Sequence, residues 1–276
     1  MILRVNDIVE DYQEQGFRLT TRQIYYQLVA GGHVPNTIQS YKTVADTIND
    51  GKLTGHIDWE AIEDRTRAFS RQQRWDNGAH ILRAAIDGYH QDMWVGQDYR
   101  VFVLVEKEAL IGVLEPTCRR FDVPLLAARG YPSGTVLREF AESDLLPAFE
   151  EGMTPIILHL GDHDPSGMDM SRDLDKRLEL FCDESVTVRR IALNMDQVRE
   201  VNPPPNPAKS TDARFAGYQK EFGDVSWELD ALSPTYLANL LAGEIEQFIT
   251  RGIWDEVHSE VVHVKSRLTE VAKELR

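Results

Sequence analysis

Two apolar runs, set apart by helix-length stretches, constrain this chain most. Val101-Phe102-Val103-Leu104-Val105 and Pro155-Ile156-Ile157-Leu158-His159-Leu160 lack the polar alternation of a half-exposed strand. Each therefore reads as a strand buried on both faces. Residues 123–128 and 185–192 read as two more strands, with helices expected over 109–121, 135–149 and 166–181. Parallel strands need long crossovers, usually helical, whereas antiparallel strands can be joined by short hairpins. The strand–helix alternation therefore predicts an α/β fold with a parallel sheet flanked by helices. Pro203-Pro204-Pro205-Asn206-Pro207 must be an extended loop, and two helices, over 234–250 and 254–275, close the chain.

Two of the strands run directly into acidic residues. Glu106-Lys107-Glu108 follows the first run, and Gly161-Asp162-His163-Asp164-Pro165-Ser166-Gly167 follows the second. Ligands of open α/β sheets bind at the carboxyl ends of the strands, so both motifs are expected on one edge. Mg²⁺ takes hard oxygen ligands, keeps several waters and needs only one or two carboxylates, with Mn²⁺ as a substitute. Asp162 and Asp164, two residues apart, point the same way in extended chain. Pro165 and Gly167 suit a sharp turn into the next helix, whose N-terminus can help hold phosphate. Glu106 either completes a metal set with Asp162 and Asp164 or acts as a general acid–base. Lys107 can neutralise phosphate or extend into solvent. Glu108 is expected at the surface, His159 packed within its strand, and His163 facing away from the two aspartates. A phosphatase with Asp162 as nucleophile fits less well, because the acidic pair lies late in the sheet and a glutamate motif precedes it.

Residues 1–70 have a different texture. Helices are expected over 1–15, from Thr20 or Thr21 to Ala30, and over 38–49, followed by a ribbon over 55–66. Three short helices and a ribbon are the layout of a winged helix-turn-helix. The domains then read as 1–70, a connecting helix within 71–97 with Ile81, Leu82, Ala85 and Ile86 on its apolar face, and 98–276. On the second helix Ile24, Tyr25, Leu28 and Val29 share an apolar face. Tyr26 falls on the other side with Arg22 one turn before it, so Tyr25 is expected in the core and Tyr26 presented to a partner.

A net charge of −15 argues against coating DNA by charge alone. Arginines nevertheless concentrate at 65, 67, 71 and 74 and at 119, 120, 129 and 138, and Arg65 and Arg67 at a wing would suit DNA backbone contact. No run approaches the roughly 18 apolar residues of a membrane helix. The N-terminus has no signal-peptide pattern, and Cys118 and Cys182 match no metal-ligand spacing. A cytoplasmic, nucleoid-associated protein without membrane partners is expected.

Val105-Glu106-Lys107-Glu108-Ala109 followed by Asp162-x-Asp164-Pro165-x-Gly167 resembles the TOPRIM domain of topoisomerases, primases and some nucleases. The variant it is most similar to is the topoisomerase VI A subunit and its relative, the transesterase that makes meiotic DNA breaks. Gly130-Tyr131-Pro132 with Thr135 and Arg138, then Lys209, Asp212 and Arg214, then Glu228-Leu229-Asp230-Ala231-Leu232 match that family in order over about 100–245. Arg22-Gln23-Ile24-Tyr25-Tyr26 resembles its catalytic-tyrosine motif, with Gln23 in place of the usual Asp. The resemblance implies Mg²⁺-dependent DNA cleavage in which Tyr26 attacks a phosphorus, with Arg22 holding phosphate or favouring the phenolate. It implies a homodimer, with the tyrosine of one protomer at the metal site of the other, and a separate ATPase subunit for strand passage. Arg138 and Lys209 join Lys107, Arg65 and Arg67 as expected DNA contacts. Two alternatives stay open: a hydrolytic TOPRIM nuclease that does not use the tyrosine, and a non-catalytic DNA-binding protein or scaffold.

Overall fold

Residues 1–63 and 74–274 are described by a computed structural model. The chain opens with α1 (Ile2–Glu14), the two-residue β1 (Leu19–Thr20), α2 (Thr21–Ala30) and α3 (Ile38–Leu53). Thr20 starts α2 through a reciprocal capping box with Gln23, which satisfies two otherwise orphaned donors. Val5, Val9, Leu19, Ile24, Leu28, Val44 and Ile48 close a small core between these helices. Of the ribbon expected over 55–66, only β2 (Ile62–Glu63) is strand among the described residues, and it pairs in parallel with β1, while 55–61 hold turns and bends; residues 64–66, and Arg65, Arg67 and Arg71, lie outside the described residues.

The connecting helix is shorter than expected. It runs as α4 (Gly78–Gly88), buries Ala79 and Ile86, and leaves Ile81 48 % exposed. Among the described elements the main neighbour of α4 is the last helix, and only part of the face expected to be apolar is covered. After α4 the chain loops inward at Trp94, which is fully buried and donates its indole N–H to Phe121 O at 2.9 Å.

The α/β region follows as β3 (Tyr99–Val105), α5 (Ile111–Arg120), β4 (Leu125–Ala127), α6 (Gly134–Phe140), a π-turn into α7 (Leu146–Glu150), β5 (Thr154–Leu160), α8 (Pro165–Cys182) and β6 (Thr187–Ala192). These four strands form one all-parallel sheet in the order β4-β3-β5-β6. Its central strands explain their own composition. Val101, Val103, Val105, Ile156, Leu158 and Leu160 face one core, while Phe102, Leu104 and Ile157 face the other. With both faces covered there is no position for polar alternation.

Beyond the sheet lie α9 (Met195–Val201), β7 (Asn206–Pro207), α10 (Phe215–Phe222), β8 (Val225–Ser226), α11 (Pro234–Glu246) and α12 (Arg251–Glu274). β7 and β8 pair antiparallel, so the proline-rich segment ends in a short ladder, with Pro207 at its end. A single helical turn, Leu229–Ala231, precedes α11. Ala231 packs into the core of the N-terminal helices, so the two ends of the sequence share apolar contacts. Among the described residues, no helix is long and apolar enough to cross a membrane.

Candidate acidic site at the sheet edge

The carboxyl ends of β3 and β5 lie side by side, with Val105 opposite Leu160. The residues that follow are therefore neighbours: Glu106 N–H donates to Leu160 O at 2.9 Å, and Asp162 N–H donates to the Glu106 carboxylate at 2.9 Å. Both acidic motifs meet on one edge, as the sequence suggested.

Each carboxylate already has protein partners. Asp162 accepts from Leu229 N–H at 2.8 Å through one oxygen and lies 3.0 Å from Lys107 Nζ through the other. Asp164 caps α8, accepting from Gly167 N–H at 2.6 Å and Ser166 Oγ at 3.1 Å. Among the described residues no three His, Cys, Asp or Glu side chains are gathered as a ready cation cage. Burial raises the Glu106 carboxyl above its ordinary range, and the Asp164 charge adds to this. Burial also raises Asp162, which Lys107 opposes and Glu106 and Asp230 reinforce. Crowded, desolvated carboxylates favour protonation or a cation.

Gly167 has a different reason from the turn expected of it. It sits inside the first turn of α8, where a Cβ would fall 2.3 Å from the Asp162 carbonyl oxygen. Glycine is needed for close approach of helix to loop. Arg190 of β6 holds the same loop from beneath. Its guanidinium donates to the carbonyls of Gly161 at 2.9 Å, Asp162 at 2.7 Å, Gly167 at 2.9 Å and Leu193 at 3.2 Å. Burial lowers its pKa to about 10, and Glu106, Asp162 and Asp164 work the other way. His163 is fully buried against Tyr218, Phe222 and Trp227, and Nδ1 lies 2.8 Å from the Tyr218 hydroxyl. His159 packs in its strand with Nδ1 2.8 Å from Ser171 Oγ. His163 sits among aromatic rings and His159 is packed within its strand, as expected.

Lys107 does not extend into solvent. Its ammonium lies 2.7 Å from Glu228, 3.1 Å from Asp230 and 3.0 Å from Asp162. Glu228 and Asp230 also hold Arg22. Glu228 pairs directly with the guanidinium, and Asp230 lies 2.7 Å from Arg22 Nε, off the hydrogen-bond direction. This chain of charges joins the acidic loop to α2, and it went unread because the sequence separation of 206 residues carries no local signal. Glu228 and Asp230 were visible only as part of a matching segment, without a role. The one sign of Arg190 was a pair of arginines inside an otherwise apolar strand.

Tyr26 departs from expectation. It is only 3 % exposed, as is Tyr25, because the Glu228–Ala231 segment covers the side of α2 that helix periodicity assigned to a partner. Its ring stacks edge-on with Tyr25 at 5.2 Å and lies 5.8 Å from the Arg22 guanidinium. Burial first, then the Glu228 and Asp230 charges, raise its phenol above the ordinary tyrosine value, with Arg22 opposing. Among the remaining expected contacts, Arg138 is exposed and bonds Glu142 at 2.7 Å, and Lys209 is exposed. Arg214 stacks on Tyr131 at 5.1 Å and bonds Asp169 at 2.7 Å. Tyr131 also bonds Asp169, at 3.0 Å, which ties the Gly130-Tyr131-Pro132 loop to α8 beside Asp164.

Compared with models of known protein families and with curated proteins, the chain matches none.

Proposed function

We propose that this chain cleaves DNA in a Mg²⁺-dependent reaction, with Tyr26 of a winged-helix domain as nucleophile and a TOPRIM-type acidic site beside it. The observation that carries the reading is one connected network. Glu106, Asp162 and Asp164 gather at the sheet edge and are joined through Lys107, Glu228 and Asp230 to Arg22 and Tyr26. The donor set fits a hard divalent cation, because Glu106 and Asp164 each keep a second carboxylate oxygen and one or two carboxylates suffice. Glu106 and Asp164 would hold Mg²⁺, or Mn²⁺ in its place, and Asp162 would join them when Lys107 gives way. When bound, the ion offsets negative charge developing on the phosphate.

The protein residues carry the rest. A bond forms between Tyr26 Oη and phosphorus as the bond to the neighbouring sugar oxygen breaks. The tyrosine proton leaves to a base, and the departing oxygen takes a proton from water, or from Glu106 where Glu106 acts as the acid in place of holding the ion. Arg22 holds phosphate once it leaves Glu228. Lys107, Arg138, Lys209, Arg65 and Arg67 contact the DNA backbone. Since burial holds the proton on Tyr26, attack requires the contact with Glu228 and Asp230 to open. A homodimer that brings the tyrosine of one protomer to the acidic site of its partner supplies this, and strand passage needs a separate ATPase subunit.

The buried phenol also favours a second reading, hydrolysis by water at the acidic site without Tyr26. One experiment separates them. End-labelled duplex and supercoiled DNA are incubated with Mg²⁺, Mn²⁺ or EDTA and quenched with denaturant, with and without protease, for wild type, Tyr26→Phe and Asp162→Ala. A protease-sensitive DNA adduct lost in both variants and in EDTA is the expected result. Cleavage without an adduct that survives Tyr26→Phe identifies a hydrolytic nuclease. No cleavage under any metal leaves a DNA-binding protein or scaffold.

A further inference from the structure

The junction between the N-terminal helices and the sheet holds two half-open cavities that share Arg22 and Tyr41. The first, about 440 Å³, is lined by Tyr25, Tyr26, Asn36 and Asn206 among others, and the second, about 500 Å³, reaches Trp59. Both volumes lie within the range of small-ligand sites.

Among the described lining residues two cations, Arg22 and Lys52, meet three carboxylates, Glu63, Glu108 and Glu228. The Arg22 fork is already engaged by Glu228 and Asp230, so this lining does not favour a phosphate. The walls offer aromatic surface instead. Tyr25 stands 5.2 Å from Tyr26 and 5.4 Å from Tyr41, and Trp59 is 59 % exposed with Lys52 Nζ 5.8 Å from its ring. They also offer amide edges, since Asn36 Nδ2 donates to Asn206 Oδ1 at 2.8 Å, and the Asn206 amino group is directed to no protein acceptor among the described residues. A flat, uncharged group with hydrogen-bonding edges fits such walls, its phosphates remaining outside. Base–aromatic stacking works for any base, because each has a π-face.

We propose that these paired cavities take unpaired nucleobases of a DNA strand, stacked on Tyr41 and Trp59, so that the strand is opened beside Tyr26. The inference rests on the DNA reading above and adds what form of DNA is taken. Binding is measured by fluorescence anisotropy in EDTA, which removes cleavage from the readout. The probes are a blunt duplex, the same duplex with a short unpaired bubble, and that bubble built of abasic sites. The bubble should bind at least about fivefold tighter than the blunt duplex, the lower end for one base–aromatic stack. The abasic bubble should lose this preference, as should Trp59→Ala and Tyr41→Leu. Trp59 is exposed, so its variant keeps the fold, which a melting curve verifies. Equal binding of all three probes overturns the inference and leaves the DNA reading standing. A bubble preference that survives in both variants places the bases elsewhere and also overturns it. No binding to any probe at low salt overturns both.

Discussion

Gly167→Ala puts the packing of the acidic loop against α8 to a direct test. The new Cβ would lie 2.3 Å from Asp162 O, 3.1 Å from the carbonyl carbon and 3.2 Å from Asp164 Oδ1. Even close carbon–oxygen contacts sit at about 3.3–3.6 Å, so helix and loop must part by roughly 1 Å. Neither side is free to move. Arg190 bonds the Asp162 carbonyl at 2.7 Å and the Gly167 carbonyl at 2.9 Å, so one guanidinium clamps both. The Gly167 N–H also carries the Asp164 cap at 2.6 Å. Overpacking of a rigid site costs about 1–3 kcal/mol, and each kcal/mol moves the melting temperature by roughly 2–4 °C in a chain near this size. A displacement of about 1 Å at reacting groups can also cost on the order of 100-fold in rate. The assay is a thermal melt of Gly167→Ala beside Gly217→Ala, whose Cβ meets nothing within 4 Å in α10. The control should be neutral or slightly stabilising. A Gly167→Ala protein that melts with wild type would refute the argument, since the close approach would then be compressible at no cost.

Two further outcomes follow from the charge network and the buried histidines. Lys107→Met leaves Asp162, Asp230 and Glu228 without their shared cation. It should lower unfolding free energy by about 3–5 kcal/mol in urea titrations, and Asp230→Asn added to it should recover part of the loss; an unchanged urea midpoint would show that the ammonium is dispensable. His159 is fully buried, and burial first, then the Arg190 charge, lowers its pKa to about 3. The unfolded chain binds a proton there below the ordinary histidine value of 6.5, while the folded chain stays neutral until about pH 3. The stabilisation is therefore complete above about 6.5 and falls with pH by about 1.4 kcal/mol per unit through that window. His159→Gln should flatten the pH dependence of stability between those limits by one proton, and parallel slopes would count against the assignment.

Much of this protein is written in local sequence. The uninterrupted apolar runs of β3 and β5 required burial on both faces, and that requirement carried the parallel sheet, its helices and the shared edge for Glu106, Asp162 and Asp164. Thr20, Ser133, Asp164 and Ser233 cap helices with side-chain bonds, and the starts expected for these four lie within two residues of those found, whereas the start of α4 behind its Asn77 cap was not placed. Periodicity erred where a second element covers a face it had assigned to solvent. The Glu228–Ala231 turn buries Tyr26; the converse holds in α4, where Ile81, expected on the apolar face, is left exposed.

What tertiary structure alone decided are the pairings between distant residues. Glu228 and Asp230 meet Arg22 and Lys107, Arg190 reaches four carbonyls of the acidic loop and its neighbour strand, and Asp169 joins Tyr131 to Arg214. Helix and strand periods report which face of an element is apolar, because that depends on neighbours three or two residues away. Which charge will sit opposite which depends on how the elements pack, and only the folded chain brings those side chains within reach of each other.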